Sequence, residues 1–340
     1  MLKIIQILVA IFLLSGFYAC QQKSEEVNVY SGRHYRSDEY LFKKFTDETG
    51  IRVNLVKADT DQLINRLKLE GNTSPADLLI TADAGRMIAA MEEGLLQPVN
   101  SEKIFSIVPA YLRDPNGHWF ALTKRARVIV YDKARVNASE LNSYEDLTMP
   151  QWKNRVLVRS SQSHYNQTLM ASIIAANGSE SAAHWAAGLV ANMAQPPRGN
   201  DRDQVKAIAA GTGDVAIVNT YYMGLLLNST NPEEREVAEQ AGIFFPNQDG
   251  RGSHVNISGM GVTSASANTE NAIRLMEFML DFPAQQTLAE ENFEYPVNPD
   301  VLWPELLEEW GQFKEDTVAL SRLGQHLEEA MLIFNRVGWE

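Results

Sequence analysis

The chain has 340 residues, of which 45% are hydrophobic and 21% are charged, with a formal net charge of −13. This composition is that of a globular protein, and the length suits two domains, each with its own core. The negative charge argues against a nucleic-acid partner. The single cysteine, Cys20, excludes a disulfide framework and a thiolate metal site inside the fold.

The N-terminus has the layout of an export signal. Met1-Leu2-Lys3 is a minimal basic start, residues 4–14 are almost entirely apolar, and the small Ala19 precedes Cys20. The apolar run is too short for a membrane-spanning helix. We therefore predict a signal peptide over residues 1–20 that ends at a lipobox-like Cys20, the lipidated residue. The alternatives are an uncleaved anchor and an ordinary signal peptide.

After this signal, a polar tether over residues 21–26 leads into alternating strands and helices. Strands are predicted at 27–30, 51–56 and 75–81, and helices at 38–49, 59–70 and 83–93. This alternation is typical of βαβ units with a mostly parallel sheet. The mature protein is expected outside the cytoplasm, in the periplasm or at the cell surface.

The pattern changes in the middle of the chain. Two strands with a short gap, at 119–123 and 127–131, suit a crossing from one lobe to another. A strand at 155–158 and helices ending at 176, 193 and 210 lead to a buried strand that ends at Asn219. Strands at 242–246 and 255–259 are predicted to return to the first lobe, and helices follow at 268–281, 283–291 and 304–337. The prediction is an α/β protein of two lobes with a cleft between them.

Tyrosines mark three of the predicted strand-to-helix junctions. His34-Tyr35, His164-Tyr165 and Tyr221-Tyr222 each follow a strand and lie at or near the start of a helix. A helix N-terminus favours negative charge. A phenol, with a pKa of about 10, ionises at neutral pH only beside a strong cation. Hard anionic oxygens suit ferric iron. The alternative for each tyrosine is a packing residue whose hydroxyl is satisfied.

In combination, these motifs resemble the ferric-iron-binding proteins of bacterial ABC importers, in their tyrosine-rich branch. The resemblance extends from Val27 to about Gly338, and its markers are the segments 29–35, 75–78, 122–131, 163–167 and 213–222. It implies a class II periplasmic-binding-protein fold with two lobes that close by a hinge motion. The lobes would comprise residues 27–121 plus 245–303 and residues 122–244 plus 304–340.

The resemblance also implies a ligand set for Fe(III), the transported ligand. The ligands would be Tyr35, Tyr165, Tyr221 and Tyr222, with His34 as a fifth, so that iron bridges the cleft. Some members of the family add a carbonate-like anion. The family pattern leaves His164 outside the ligand set.

Charge favours arginines behind these ligands. Four phenolates and a trivalent cation carry one excess negative charge, and metal sites generally use outer partners that do not themselves ligate. Arg125 and Arg127 point to the same side of one predicted strand, and Arg202 lies in the loop 199–203. The alternative for each is a solvated surface arginine, and Arg33 could serve equally.

The leading hypothesis is a monomeric extracytoplasmic binding protein that delivers Fe(III) to a membrane ABC permease and its ATPase. One alternative is a binding protein for an oxyanion, a polyamine or a thiamine-like ligand. Another is a mononuclear iron enzyme, although the sequence shows no nucleophile–base series and no HExxH motif. A ligand-sensing lipoprotein without a transporter is the third.

Overall fold

A computed structural model of the protein describes residues 25–340. The predicted signal peptide and the lipidation residue Cys20 lie outside the described residues. Within residues 25–340, no helix has the length and apolar character that crossing a membrane requires.

Residues 25–340 form a mixed α/β arrangement of nine strands and surrounding helices. The strands are β1 Glu26–Ser31, β2 Arg52–Lys57, β3 Leu78–Thr81, β4 Phe120–Asp132, β5 Val156–Leu157, β6 Val215–Asn219, β7 Ala241–Phe244, β8 Val255–Val262 and β9 Tyr295–Pro296. The α-helices of the described part are α1 Arg36–Thr49, α2 Thr60–Glu70, α3 Ala84–Glu92, α4 Glu102–Ile107, α5 His164–Asn177, α6 Ser179–Asn192, α7 Asp201–Ala209, α8 Thr220–Leu227, α9 Pro232–Glu239, α10 Thr269–Leu280, α11 Phe282–Asn292, α12 Glu305–Glu309 and α13 Gly324–Val337.

The sheet has two parts that meet in β4. The strand order is β2-β1-β3-β8-β4-β6-β5, with β7 and β9 also paired to β4. β1 is parallel to β2 and β3, and β5 is parallel to β6, whereas β8 runs antiparallel to both β3 and β4. The first half of β4, from Phe120 to Ala126, pairs with β8, and the second half, from Arg127 to Tyr131, pairs with β6. β4 therefore connects the two parts.

The prediction of two separate strands at 119–123 and 127–131 was wrong, since β4 is one continuous strand of 13 residues. Lys124 and Arg125 lie in the gap that was predicted between the two strands. Both find partners inside the fold, Lys124 with Glu315 at 2.6 Å and Arg125 with Ser258 at 3.4 Å. The only irregularity in the pairing of this strand with β8 within the described residues is a register shift between Ala121 and Thr123.

Separate hydrophobic clusters cover the two parts of the sheet. Val29, Ile80 and Phe120 belong to a cluster around β1, β3 and the first half of β4. Along the second half of β4 the side chains alternate between faces. Ile129 packs into one cluster, with helix α13 against it, and Val130 packs into another on the opposite face.

Two further predictions differ from the structure. The segment 242–246 was expected to return to the first lobe, but β7 pairs with the second half of β4. The tail 304–337 was expected to be one helical region, but α12 and α13 are separated by an irregular stretch. Helix α9 was not predicted, although Asn231 caps its N-terminus and Pro232 occupies its first turn.

Candidate metal centre

The tyrosines of the predicted ligand set lie at three helix N-termini. Tyr35 is the N-cap residue of α1, four residues after β1 ends at Ser31, and Tyr165 is the second residue of α5. Tyr221 and Tyr222 lie in the first turn of α8, immediately after β6 ends at Asn219. Each of these tyrosines lies at the start of a helix that follows a strand, as the alternation of strands and helices along the sequence predicted. The positive ends of three helix dipoles therefore meet the phenolic side chains.

These side chains line a single cavity of about 570 Å³, together with the exposed His34. The hydroxyl oxygens of Tyr165 and Tyr221 are 3.2 Å apart. The rings of Tyr221 and Tyr222 pack at a centroid distance of 4.1 Å, and the ring of Tyr35 meets that of Tyr221 edge-on at 6.3 Å. The structure thus brings together all five residues of the predicted ligand set, and their ligation of a metal stays a prediction.

Burial keeps three phenols of this cavity neutral, those of Tyr35, Tyr221 and Tyr222. It raises the pKa of Tyr35 well above its ordinary value, and the nearby Glu294 raises it further. It raises the pKa of Tyr221 in the same way, with a further contribution from Tyr165. Burial and Tyr165 also raise the pKa of Tyr222. These hydroxyls remain protonated at neutral pH, so a strongly charged cation is needed to ionise them.

Four guanidinium groups lie against the rings of these tyrosines. Arg125, Arg127 and Arg159 surround Tyr165, at 5.4, 5.8 and 5.3 Å from its ring centroid. Arg33 lies 4.6 Å from the ring centroid of Tyr35. Such distances allow cation–π attraction, and the same positive charges would stabilise a phenolate.

The predicted arginines therefore divide into two groups. Arg125 and Arg127 are fully buried behind the tyrosines, on the same side of β4 as predicted. Arg202 is half-buried and lines the cavity itself. Arg159 was missed, although its position directly after a predicted strand is where ligand-site residues of α/β sheets are found.

Buried carboxylates that the sequence did not single out hold these arginines. Asp38 and Glu294 pair with Arg33 at 2.8 and 3.0 Å. Asp201 pairs with both Arg127 and Arg159. Asp38 and Asp201 lie in the first turns of α1 and α7, a position where acidic residues are common on exposed helices. Their burial therefore has no signature in the sequence.

His164 has other partners. Its ring contacts Arg86 of α3, and its Nε2 lies 3.9 Å from Asp61 of α2. Burial and the charge of Arg86 lower the pKa of this imidazole. One turn later, Thr168 donates a hydrogen bond of 2.8 Å to Asp83. These contacts join helix α5 to α2 and α3, in the part of the fold that also holds Tyr35.

The donor set of the cavity is phenolic. Among residues 25–340 there is no group of three or more His, Cys, Asp or Glu side chains arranged to hold a metal ion. The oxygens that converge in the cavity are those of tyrosines, which become strong ligands for a hard, trivalent cation once they are ionised.

A two-part sheet joined through β4, with a ligand-sized cavity lined by residues from both parts, is the architecture of a two-lobed binding protein. Residues 73–313 match the family of bacterial extracellular solute-binding proteins. The chain belongs to this family, in its ferric-iron-binding branch. The resemblance drawn from the sequence and the predicted class of fold are thereby confirmed.

The relatives support this assignment over nearly the whole chain. Iron uptake protein A1 of Synechocystis is 49% identical over 318 residues, which are 94% of this chain and 88% of the relative. FutA (IdiA) of Trichodesmium, solved in complex with iron and citrate, is 46% identical with a TM-score of 0.90, covering 93% of this chain and all of that one. The ferric binding protein from Campylobacter jejuni is 44% identical with a TM-score of 0.88, over 92% of this chain and 100% of that one. These are uptake and binding proteins, which confirms the prediction that the chain is not an enzyme.

Proposed function

We propose that this protein captures Fe(III) with Tyr35, Tyr165, Tyr221, Tyr222 and His34 and delivers it to an ABC importer. The observation that carries the proposal is the convergence of four phenols in one cavity with buried guanidinium groups behind them. Relatives named for iron uptake and ferric-iron binding support the same cargo.

The charges around the cavity match a trivalent cation. Four phenolates and Fe(III) together carry a net charge of −1. The four arginines against the tyrosine rings and the three carboxylates paired with them carry +1. These groups together are therefore neutral with Fe(III) and carry −1 with Fe(II), and the charged residues Arg36, Arg202 and Glu291 also line the cavity. A carbonate-like anion is not needed for this balance, and Arg202 is available to pair with one.

Iron would bridge the two lobes. We assign residues 27–121 plus 245–303 to the first lobe and residues 122–244 plus 304–340 to the second. The separate hydrophobic clusters support this assignment for most residues, but Leu320 and Leu323 pack into the cluster of the first lobe and Phe245 packs into a cluster of the second. Tyr165, Tyr221 and Tyr222 would then receive iron first, and closure about the hinge would add Tyr35 and His34.

The colour of the protein tests the proposal. Adding ferric citrate to the apoprotein should produce a visible phenolate-to-iron charge-transfer band, a higher melting temperature and a smaller radius of gyration in solution scattering. Gallium citrate is the matched control, because Ga(III) has the same charge and size but gives no such band in the visible. A protein that stays colourless in ferric citrate and melts at an unchanged temperature would refute the iron assignment.

The partners follow from the class of transporter. A solute-binding protein of an ABC importer works on the outer side of the membrane, here in the periplasm or at the cell surface. It passes its ligand to a membrane permease, which is driven by an ATPase. We propose further that the protein acts as a monomer and is anchored by a lipid on Cys20. Replacing Cys20→Ser should move the protein from the membrane fraction to the soluble fraction of cells, and an unchanged distribution would contradict the anchor.

A further inference from the structure

Asp201 is a fully buried carboxylate behind the tyrosines, with no exposed surface. It is the first residue of α7, whose N-terminus is closed by a capping box between Asn200 and Asp203. One of its oxygens accepts from Arg127, and the other accepts from Arg159 at 2.6 Å. The first oxygen also accepts from the backbone N–H of Asn219 at 3.0 Å.

These bonds tie together the three chain segments that support the cavity from behind. Arg127 lies on β4 and Arg159 follows β5, and both guanidinium groups lie against the ring of Tyr165. Asn219 is the last residue of β6, immediately before the helix that carries Tyr221 and Tyr222. One carboxylate therefore orients two arginines and the backbone that leads to the tyrosine pair.

The charge of Asp201 also matters. Without it, Arg127 and Arg159 would face the iron ligands as two uncompensated positive charges. Positive charge beside a metal favours the lower oxidation state, because electrostatic repulsion grows with the charge of the ion. A buried carboxylate has the opposite effect, and burial keeps the effect from being screened by solvent or salt.

We propose that Asp201 is a positioning and specificity-determining residue, which orients Arg127 and Arg159 on Tyr165 and sets the preference of the site for Fe(III) over Fe(II). This inference rests on the proposed function, since it requires that the tyrosines bind iron. Beyond iron binding itself, we infer that the oxidation state of the bound iron depends on Asp201, which touches neither iron nor a ligand side chain.

Two substitutions that break the same ion pair should act in opposite directions. Asp201→Asn removes a negative charge and should lower the Fe(III)/Fe(II) affinity ratio at least tenfold, which raises the midpoint potential by about 59 mV. Arg159→Gln removes a positive charge and should lower the potential. Structural damage from a lost ion pair would not reverse its sign between the two variants. The measurement is the potential at which the charge-transfer band disappears, for the iron-loaded full chain at fixed pH and total iron.

Asp214 offers a matched control. It also bridges two arginines, Arg135 at 2.6 Å and Arg155 at 2.5 Å, but Arg155 lies over Trp152 and not over a tyrosine. Asp214→Asn should therefore lower stability and leave the potential unchanged.

The outcomes separate the two claims. The role of Asp201 is overturned if the potentials of Asp201→Asn and Arg159→Gln shift with the same sign. It is also overturned if these shifts in potential are no larger than that of Asp214→Asn. In either case, the colour of the iron-loaded wild type still upholds iron binding. A wild-type protein that takes no iron overturns the proposed function instead. If Asp201→Asn does not fold, Asp201→Ser, which also removes the negative charge and keeps an oxygen acceptor, takes its place, and its potential must rise.

Discussion

Replacing Tyr165 by phenylalanine should remove most of the visible absorption of the iron-loaded protein while the apoprotein remains folded. The Tyr165 hydroxyl lies 3.2 Å from that of Tyr221, and three arginines surround its ring, so their positive charges would stabilise the phenolate that ligates a cation. Loss of an outer partner typically lowers metal affinity 10- to 100-fold, so loss of a ligand should cost at least about 100-fold.

The cost to folding should be small by comparison. Tyr165 is half-buried, and its hydroxyl has Tyr221 as its neighbour. Deleting one such hydrogen bond costs about 1 kcal/mol of the free energy of unfolding. Competition with a ferric chelator, followed by absorption, measures the affinity, and chemical denaturation of the apoprotein measures the stability.

Tyr222→Phe should give the same loss of colour, since its ring packs against that of Tyr221 and lines the same cavity. Tyr295→Phe is the matched control, because Tyr295 is fully buried with an unpartnered hydroxyl among the described residues and does not line the cavity. Removing an unpartnered buried hydroxyl should be neutral or stabilising and leave the colour intact. Retention of colour and affinity in both Tyr165→Phe and Tyr222→Phe would refute their assignment as ligands.

Iron affinity should fall steeply as the pH falls. Burial raises the pKa of Tyr35 and Tyr221 in the apoprotein, so these phenols are neutral at pH 7 and must each release a proton when they ligate iron. Four phenolate ligands release about four protons, and protons then compete with the cation. The pKa of Tyr35, Tyr221 and Tyr222 is raised in the apo form and would be lowered by a bound cation. Iron affinity is therefore greatest at high pH and decreases as the pH falls from the pKa of the apo phenols towards that of the bound phenolates.

This linkage also defines a stability measurement. A ligand at 1,000 times its Kd stabilises the folded state by about 4 kcal/mol. Acid should remove this increment from the iron-loaded protein, while the apoprotein, whose phenols are already neutral, should not lose stability from these groups. Scanning calorimetry of both forms between pH 8 and pH 5 measures the difference.

Calorimetric titrations in two buffers of different ionisation enthalpy count the protons released with iron. Tyr222→Phe should release one proton fewer than the wild type if it still binds iron, with Tyr295→Phe as the control. An iron affinity that does not change between pH 8 and pH 5 would contradict phenolate ligation.

Several features of the site could be predicted from local sequence. The junctions at Tyr35, Tyr165 and Tyr221 are local features, because hydrophobic alternation and helix-start signals depend on nearby residues. Arg125 and Arg127 share a side of β4 because side chains two apart in a strand point the same way. These predictions needed no knowledge of how the chain folds back on itself.

Other features depend on contacts between distant residues. The pairing of Asp201 with Arg127 and Arg159 joins residues 74 and 42 positions apart, and Glu294 reaches Arg33 across 261 positions. The continuity of β4 is of the same kind, since Lys124 lies inside a strand because Glu315, 191 positions away, pairs with its ammonium group.

The sequence by itself determined that tyrosines follow the strands at helix starts, that the composition is that of a globular protein, and that its motifs resemble a family of two-lobed binding proteins. The tertiary structure alone decided that the phenols share one cavity, that Arg159 joins Arg125 and Arg127 behind Tyr165, and that buried carboxylates set the net charge there. The physical reason is that a side chain's position relative to its own strand or helix is set by local geometry. Its burial and its ionic partners are set by the packing of segments far apart in the chain, which a single sequence does not specify.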